Sequence, residues 1–443
     1  MLFTLFNQFF FYFLRNNIIV FKFVLFFFMS FNWGRKILYI ASKFSFVRFF
    51  IPFFKIFYFS RHGYYFPEKH FHGEDSCFEA IKFIVKENKN LNVYWIEQSN
   101  SLLDTKHYQK LLEKNKVNFY LNNLKMPFIS QKNIDQWEIE AGIFNISSLF
   151  VFGDDFVQSQ SRSFNTQYGS KKPYVYYELW NLIKNKLPSH FAFNLGVSDG
   201  NLFSKQSVIF HKNKITVLSD SKLIPKYSVL DPSLLTNNEI VNKQKVCSLL
   251  VNAIECYLSF KNPNPFVKTQ IIGSIEVLLK NLKQKELNLY EINTCSLMIG
   301  NAITHTNLGW IDIISYSVFS LTKTPTHEVK PTLFLHFLRT IINQKNQTEI
   351  YYYLQYLLDE VFEKEKTTVE DFYSQILKIF KSCDISDIIV NNSSINFNQR
   401  MARRIIKDSF RYFPSLFSQN YHDVKKADIR SIIYSSFKKN LYK

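Results

Sequence analysis

The segment NAIECYLSFKNPNPFVKTQIIGSIEVLLKNL, residues 252–282, carries apolar side chains at three- and four-residue spacing on both sides of an Asn-Pro-Asn-Pro break. Apolar residues at this spacing line one face of a helix, and proline interrupts a helix, so the segment predicts two helices joined by a tight turn. The same spacing recurs in residues 350–362 and 371–381. From about Asn238 onward the chain is therefore predicted to be helical almost without interruption.

Upstream of this helical part, short runs rich in β-branched and aromatic residues alternate with helical stretches. They are LNVYWIEQ, KVNFYL and SSLFVFG, at residues 91–98, 116–121 and 147–153. Such alternation is typical of βαβ units that build a parallel sheet. Residues 207–220 predict a β-hairpin that turns at positions 211–213, and residues 159–172 (SQSRSFNTQYGSKK) predict a polar loop. We expect a Rossmann-like α/β domain over residues 63–236 and an all-α domain over residues 237–443.

The start of the chain, residues 1–62, differs from everything that follows. It consists of Phe-dominated apolar runs broken by single basic residues, and no acidic residue precedes Glu68. Each run is long enough to enter a bilayer but barely long enough to cross it. Three interpretations remain open: an uncleaved membrane anchor or membrane-lying helix, a cleaved targeting segment, and a misassigned start or packed core. We expect residues 1–60 to contact membrane lipid.

Charge and cysteine content restrict the class of protein. The formal net charge is +18, but much of it lies among the apolar runs of residues 1–62 rather than on an ordered basic face. Lipid is therefore a simpler partner than nucleic acid, and no nucleic-acid partner is expected. The five cysteines are scattered and form no Cys-x-x-Cys pair, which argues against a disulfide framework and a cysteine zinc site. A reducing compartment is predicted.

Several strings, in matching order and spacing, resemble the iron-containing alcohol dehydrogenases, whose fold is that of the dehydroquinate synthases. They are YSVLDPSLLT at residues 227–236, the opening segment at residues 252–282, and NAITHTNLGWIDIISYSVFSLTKTPTHEVKP at residues 301–331. The segment FPEKHFHGE at residues 66–74 extends the likeness toward the start of the globular part. The resemblance implies an NAD(P)-binding α/β domain, a helical domain and a divalent metal in the cleft between them.

The resemblance places the family's metal ligands on residues that are mostly of a different type. One aspartate and three histidines hold the metal in the family, and here these places fall on Ser248, Asn252, Asp312 and His327. A hydroxyl and an amide are poor ligands for iron or zinc beside a carboxylate and an imidazole. We interpret Asp312 as an exposed helix residue rather than a ligand. The substitutions predict that no metal is bound.

The cofactor positions implied by the resemblance have also changed. The family's glycine-rich pyrophosphate turn falls on Gly153, followed by two aspartates and a phenylalanine, and negative charge there would repel a phosphate. The second phosphate-contacting stretch falls on residues 198–202 and keeps a single glycine, Gly200. Glu97 follows a predicted strand where the family has an acidic residue for the ribose. No cofactor is therefore expected.

These substitutions favour a non-catalytic role over an enzymatic one. The sequence predicts a catalytically degenerate member of this fold that serves as an accessory subunit of a membrane complex. Its basic, acid-free start and reducing setting suggest the mitochondrial inner membrane, with the globular part facing the matrix. The alternative is a divergent, active oxidoreductase that uses NAD(P) and Fe or Zn, with Asp312, His327 and His305 as candidate ligands.

Overall fold

A computed structural model describes residues 67–88, 90–98, 105–124, 131–170, 187–211, 214–234, 239–259, 264–306, 309–344, 349–362, 366–386, 389, 399–412 and 426–437. The predicted membrane-associating segment, residues 1–62, lies outside these residues. Across the described part of the chain, no helix combines the length and apolar character needed to span a membrane.

A six-stranded parallel sheet forms the first part of the fold. Its strands run in the order β1-β8-β5-β4-β2-β3, and every neighbouring pair is parallel. The strands are β1 (Lys69–His72), β2 (Asn92–Gln98), β3 (Asn118–Leu124), β4 (Ser148–Gly153), β5 (Ser189–Asn194) and β8 (Tyr227–Leu230). In a parallel sheet all carboxyl ends meet at one edge, so β2, β4 and β5 deliver their last residues to the same crevice.

Helices cover both faces of this sheet. On one face α1 (Ser76–Glu87) and α2 (Lys106–Lys114) pack on the aromatic side chains of β2, β4 and β5. On the other face α3 (Gln131–Phe144) and α4 (Asp155–Ser170) pack on alternate residues of the same strands. Trp95 and Tyr94, adjacent in β2, belong to the two different cores because successive side chains point to opposite faces. This arrangement confirms the α/β prediction.

The predicted hairpin is present as β6 (Gln206–His211) and β7 (Lys214–Ser219), which pair antiparallel. The predicted polar loop at 159–172 is wrong, because residues up to Ser170 continue helix α4. Its polar side chains are buried by hydrogen bonds rather than by apolar packing: Ser159 bonds to Val208, and the Arg162 guanidinium donates to the carbonyls of Asn201 and Ser204. A helix that buries polar residues has no apolar stripe to detect.

The second part of the fold is helical, as predicted. Its helices are α5 (Glu239–Leu258), α6 (Pro265–Lys283), α7 (Leu289–Thr306), α8 (Trp310–Thr322), α9 (Thr326–Asn343), α10 (Glu349–Val361), α11 (Val369–Ser382), α12 (Gln399–Tyr412) and α13 (Lys426–Phe437). They share one large apolar core. Every residue of α8 is buried, so this helix lies at the centre of the helical part.

Candidate functional site

The turn between β4 and α4 is closed by its own side chains. A Cβ atom on Gly153 would lie 2.6 Å from the Val157 side chain, so this glycine serves the packing of strand against helix. The Asp154 carboxylate accepts hydrogen bonds of 3.1 Å from the backbone N–H groups of Phe156 and Val157. Those groups open α4, and a helix start is where a phosphate would bind. Here an internal carboxylate already satisfies them.

The Asp155 carboxylate satisfies the second phosphate-contacting stretch. It accepts hydrogen bonds from the Ser198 hydroxyl at 2.5 Å and from the backbone N–H groups of Asp199 and Leu202 at 2.9 Å and 3.1 Å. Desolvation and the neighbouring Asp199 carboxylate raise the pKa of Asp155 to about 7. Two donors that would face a phosphate in the resemblance therefore face a protein carboxyl group.

The other two predicted cofactor positions have structural partners. Gly200 adopts a left-handed backbone with φ of 93°, and a Cβ atom there would meet the backbone nitrogen of Gly300 at 3.0 Å. It therefore allows helix α7 to approach the loop. Glu97 is buried and accepts a hydrogen bond of 2.9 Å from the Thr105 hydroxyl. The residues present do not fit a dinucleotide at this edge, because the donors that would hold its phosphates are bonded internally.

The four predicted metal positions come together in two pairs at the junction of the sheet part and the helical part. Ser248 on α5 and His327 on α9 line a small pocket that also contains Asp154, Asp155, Lys245 and Tyr316. The Ser248 hydroxyl is buried and has no hydrogen-bond partner within the described residues. Burial lowers the pKa of His327 to about 4, so its imidazole is neutral at physiological pH.

The second pair, Asn252 and Asp312, contacts a residue that the sequence did not indicate. The Lys330 ammonium, on α9, lies 3.4 Å from the Asn252 side-chain oxygen and forms ion pairs with Asp199 and Asp312. The Lys330 side chain has 0% of its surface exposed and that of Asp312 has 2%. The interpretation of Asp312 as an exposed residue is wrong, because the lysine compensates a carboxylate that would otherwise be too costly to bury.

A third carboxyl group, that of Glu255, lies near this ion cluster. Both oxygens of Glu255, on α5, accept hydrogen bonds from backbone N–H groups in the first turn of α8, at Ile311 and Asp312. Burial and the Asp312 charge raise the pKa of Glu255 to about 8. Glu255 therefore acts as a remote cap of α8 and fixes the helix that carries Asp312.

These residues do not fit the family's metal ion. The metal positions themselves hold an imidazole, a serine hydroxyl, an amide and the Asp312 carboxylate. The Asp312 and Asp199 carboxylates are paired with an ammonium group that would repel a divalent cation. Within the described ranges of the chain, no three His, Cys, Asp or Glu side chains are grouped so that they could hold a metal. The donor chemistry thus disagrees with the metal that the fold implies.

Lys330 and Asp199 were missed for identifiable reasons. Lys330 lies three residues after His327 in the string TPTHEVKP, and a lysine near the start of a helix is ordinarily solvated. Asp199 lies within the stretch that resembles the second phosphate-contacting loop, where a carboxylate has no role in binding phosphate. The (i, i+3) spacing of His327 and Lys330 places both side chains on one helix face and could have indicated Lys330. No comparable local signal marks Asp199.

The fold described above is that of the iron-containing alcohol dehydrogenases. The alcohol dehydrogenase from Oenococcus oeni is 17% identical, with a TM-score of 0.71 over 85% of this chain and 100% of that chain. A 1,3-propanediol oxidoreductase is 15% identical, with a TM-score of 0.71 over 85% and 99% of the two chains. The iron-containing alcohol dehydrogenase from Thermotoga maritima is 13% identical, with a TM-score of 0.70 over 85% and 99%.

At the level of sequence alone, no protein-family model matches this chain, and no curated protein matches it either. The similarity therefore lies in the path of the backbone, while the residues along it have changed. The fold is shared over 85% of this chain and over 99–100% of these three proteins.

Proposed function

We propose that this chain is a catalytically silent protein with the alcohol dehydrogenase fold and that it serves as a structural, accessory subunit of a membrane complex. The observation that carries the proposal is the internal bonding of the cleft. Asp155 occupies backbone donors at the phosphate stretch, and Lys330 occupies the acidic groups at the metal place. Residues that bond to each other are not available to a cofactor and a metal.

The membrane setting is proposed from the sequence. Residues 1–60 supply apolar, basic, acid-free material that soluble enzymes of this fold do not need. An anchor of this kind would hold the globular part at a bilayer, and the mitochondrial inner membrane, with the globular part on the matrix side, suits its charge. The proposed partners are membrane lipid and other protein subunits of the complex. In the structure all five cysteines are free and buried, which is compatible with a reducing compartment.

The proposal is tested on the purified chain by metal analysis and by titration with NADH and NADPH followed by fluorescence. We expect far less than one metal ion per chain and no saturable nucleotide binding. Stoichiometric metal together with micromolar nucleotide affinity would contradict catalytic silence. Purification of the native protein from membranes tests the accessory role, since a subunit copurifies with its complex at fixed stoichiometry through successive columns.

The runner-up is a divergent oxidoreductase in which Asp312, His327 and His305 hold a metal and NAD(P) binds in an altered pose. The observation in its favour is the pocket beside His327, which the unpartnered Ser248 hydroxyl also lines. His305, however, lies at the end of α7, where burial and the nearby Lys205 charge lower its pKa. The Lys205 charge would also repel a metal cation at His305. The same metal and nucleotide measurements decide between this function and the silent one.

A further inference from the structure

The Lys330 ammonium joins four separate elements of the fold. It extends from α9 to Asp199 in the loop after β5, to Asn252 on α5 and to Asp312 on α8. The ammonium donates hydrogen bonds to Asp199 and Asn252 and forms an ion pair with Asp312. A buried charge is tolerated when it is paired with opposite charge and hydrogen-bonded in this way.

The Lys330 ammonium lies beside two of the positions that the resemblance assigns to metal ligands. Two of its three partners, Asn252 and Asp312, stand at places where the resemblance puts metal ligands. Two carboxylates, of Asp199 and Asp312, flank the ammonium. Without a cation between them these charges would repel each other inside the protein, so the cluster needs one positive group at this point.

We propose that the Lys330 ammonium is a built-in replacement for the metal cation and that it fixes the sheet part against the helical part. This inference rests on the proposed silent function and extends it, because it assigns the cleft a mechanical role. A metal ion can dissociate, whereas a lysine side chain cannot. The junction would then keep one arrangement whatever the metal supply of the compartment.

Neighbouring contacts show that the loop carrying Asp199 is the seam between the two parts. The Asn252 amide donates to the Asp199 carbonyl at 2.8 Å, and the Ser296 hydroxyl donates to the Ser198 carbonyl at 2.8 Å. Asn201 also bonds to the Tyr316 hydroxyl at 3.0 Å. All of these are neutral hydrogen bonds. The Asp199–Lys330 pair is a charged, buried contact in the same seam, and charge-assisted bonds are the stronger kind.

The test is chemical rescue of a Lys330→Ala variant of the full chain. We expect its Tm to fall by about 4–6 °C, since a buried ion pair that loses one partner leaves uncompensated charge. Thermal unfolding of this variant is measured in methylammonium chloride, with sodium chloride at the same ionic strength as reference. Methylammonium should restore part of the lost Tm. Zn²⁺ should also raise the Tm of this variant, and recovery by either cation supports the inference.

Lys245→Ala is the matched control. Lys245 lines the adjacent pocket, so its replacement removes one positive charge there, but Lys330 remains to pair with Asp199 and Asp312. The control and the unaltered chain should show no rise in Tm with methylammonium or Zn²⁺, and a chelator should leave the unaltered chain unchanged. If Lys330→Ala folds and neither cation raises its Tm, the inference is wrong.

If Lys330→Ala fails to fold, a variant carrying Lys330→Met, Asp199→Asn and Asp312→Asn replaces it. Removal of all three charges should give a higher Tm than Lys330→Met alone, because the carboxylates no longer repel. An equal or lower Tm overturns the inference. Failure of the proposed function would give a different result. The unaltered chain would then bind stoichiometric metal, and metal analysis of that chain shows this without any variant.

Discussion

Among the individual residues, Asp155 ties the turn between β4 and α4 to the loop at 198–202. Its carboxylate accepts three hydrogen bonds from that loop. Asp155→Ala removes the acceptor of two backbone N–H groups and one hydroxyl. We expect the free energy of unfolding to fall by about 2–4 kcal/mol, as buried donors left without partners are costly. Urea denaturation followed by circular dichroism measures the loss.

Asp154→Ala is the control for this prediction. Its carboxylate caps α4, and loss of a helix cap costs about 0.5–2 kcal/mol. A larger loss in Asp154→Ala than in Asp155→Ala would show that the loop at 198–202 does not depend on the Asp155 carboxylate.

His190 predicts a dependence of stability on pH. It lies on β5, buried, with its ring 3.2 Å from the Gln158 side-chain oxygen, and burial together with the Arg162 charge lowers its pKa from near 6.5 to about 3. Between those values the unfolded chain binds a proton here that the folded chain does not. The free energy of unfolding therefore decreases as pH falls below 6.5, by up to about 1.4 kcal/mol per pH unit from this group.

His190→Gln removes this titration while keeping a polar group beside Gln158. Urea denaturation at several pH values between 7 and 4 should then show a shallower decline of stability than in the unaltered chain. Some decline should persist, because burial also lowers the pKa values of His70 and His327. An unchanged slope would mean that His190 is protonated in the folded protein.

Sequence reasoning placed part of the candidate site but not its central charge. The resemblance of residues 252–282 and 301–331 to the family's ligand-bearing helices indicated Ser248, Asn252, Asp312 and His327. The structure brings these four residues to one junction. What they do there depends on Lys330 and Asp199, which are 131 positions apart. No local pattern reveals that a lysine is buried, because its burial depends on carboxylates contributed by other elements.

At the scale of elements, α7 packs closely on the loop before β6 because Gly300 has no side chain. A Cβ atom on Gly300 would lie 2.4 Å from the Gly200 carbonyl oxygen and 2.6 Å from the Phe203 Cβ. Gly300→Ala should therefore push the helix from the loop and lower the free energy of unfolding by about 1–3 kcal/mol. Thermal or urea unfolding measures this change.

Gly273→Ala is a matched control on a neighbouring helix. Gly273 lies within α6, and nothing stands within 4 Å of the place its Cβ atom would take. Alanine there should raise the free energy of unfolding by about 0.5–1 kcal/mol through its higher helix propensity. Equal effects of the two substitutions would contradict a close contact at Gly300.

The elements themselves were predictable wherever apolar periodicity marked them. The runs containing Trp95 and Phe150 became β2 and β4, and the two hairpin strands pair as expected, with His211 opposite Lys214.

Helix α4 was not predictable in this way, because most of its buried side chains are polar. Ser159 and Arg162 bond to β6 and the loop before it, and Gln158 bonds to carbonyls of β4 and β5. Tertiary partners decide such a helix, and they cannot be read from its own residues.

At the scale of the whole molecule, charge is distributed in two ways. Inside the junction, Lys330 offsets two carboxylates at a single point. The chain as a whole is strongly basic, with a net charge of +18, and the segment at 1–62 contains basic residues but no acidic ones. We propose that the internal charges stabilise one arrangement of the fold, and we expect the unbalanced basic residues to favour an anionic surface.

The apolar, basic segment at 1–62 predicts membrane attachment that can be measured directly. Expressed in full, the chain should stay with membranes after extraction at alkaline pH, because its apolar runs enter the bilayer interior. A chain that begins at Gly63 lacks these runs and should appear in the supernatant. A third variant, with the basic residues of this segment replaced by glutamine, separates the apolar contribution from the electrostatic one and should remain attached.

Intact mass of the native protein completes the test: a mature chain that lacks the segment would show a cleaved targeting sequence, and the anchor would then be excluded.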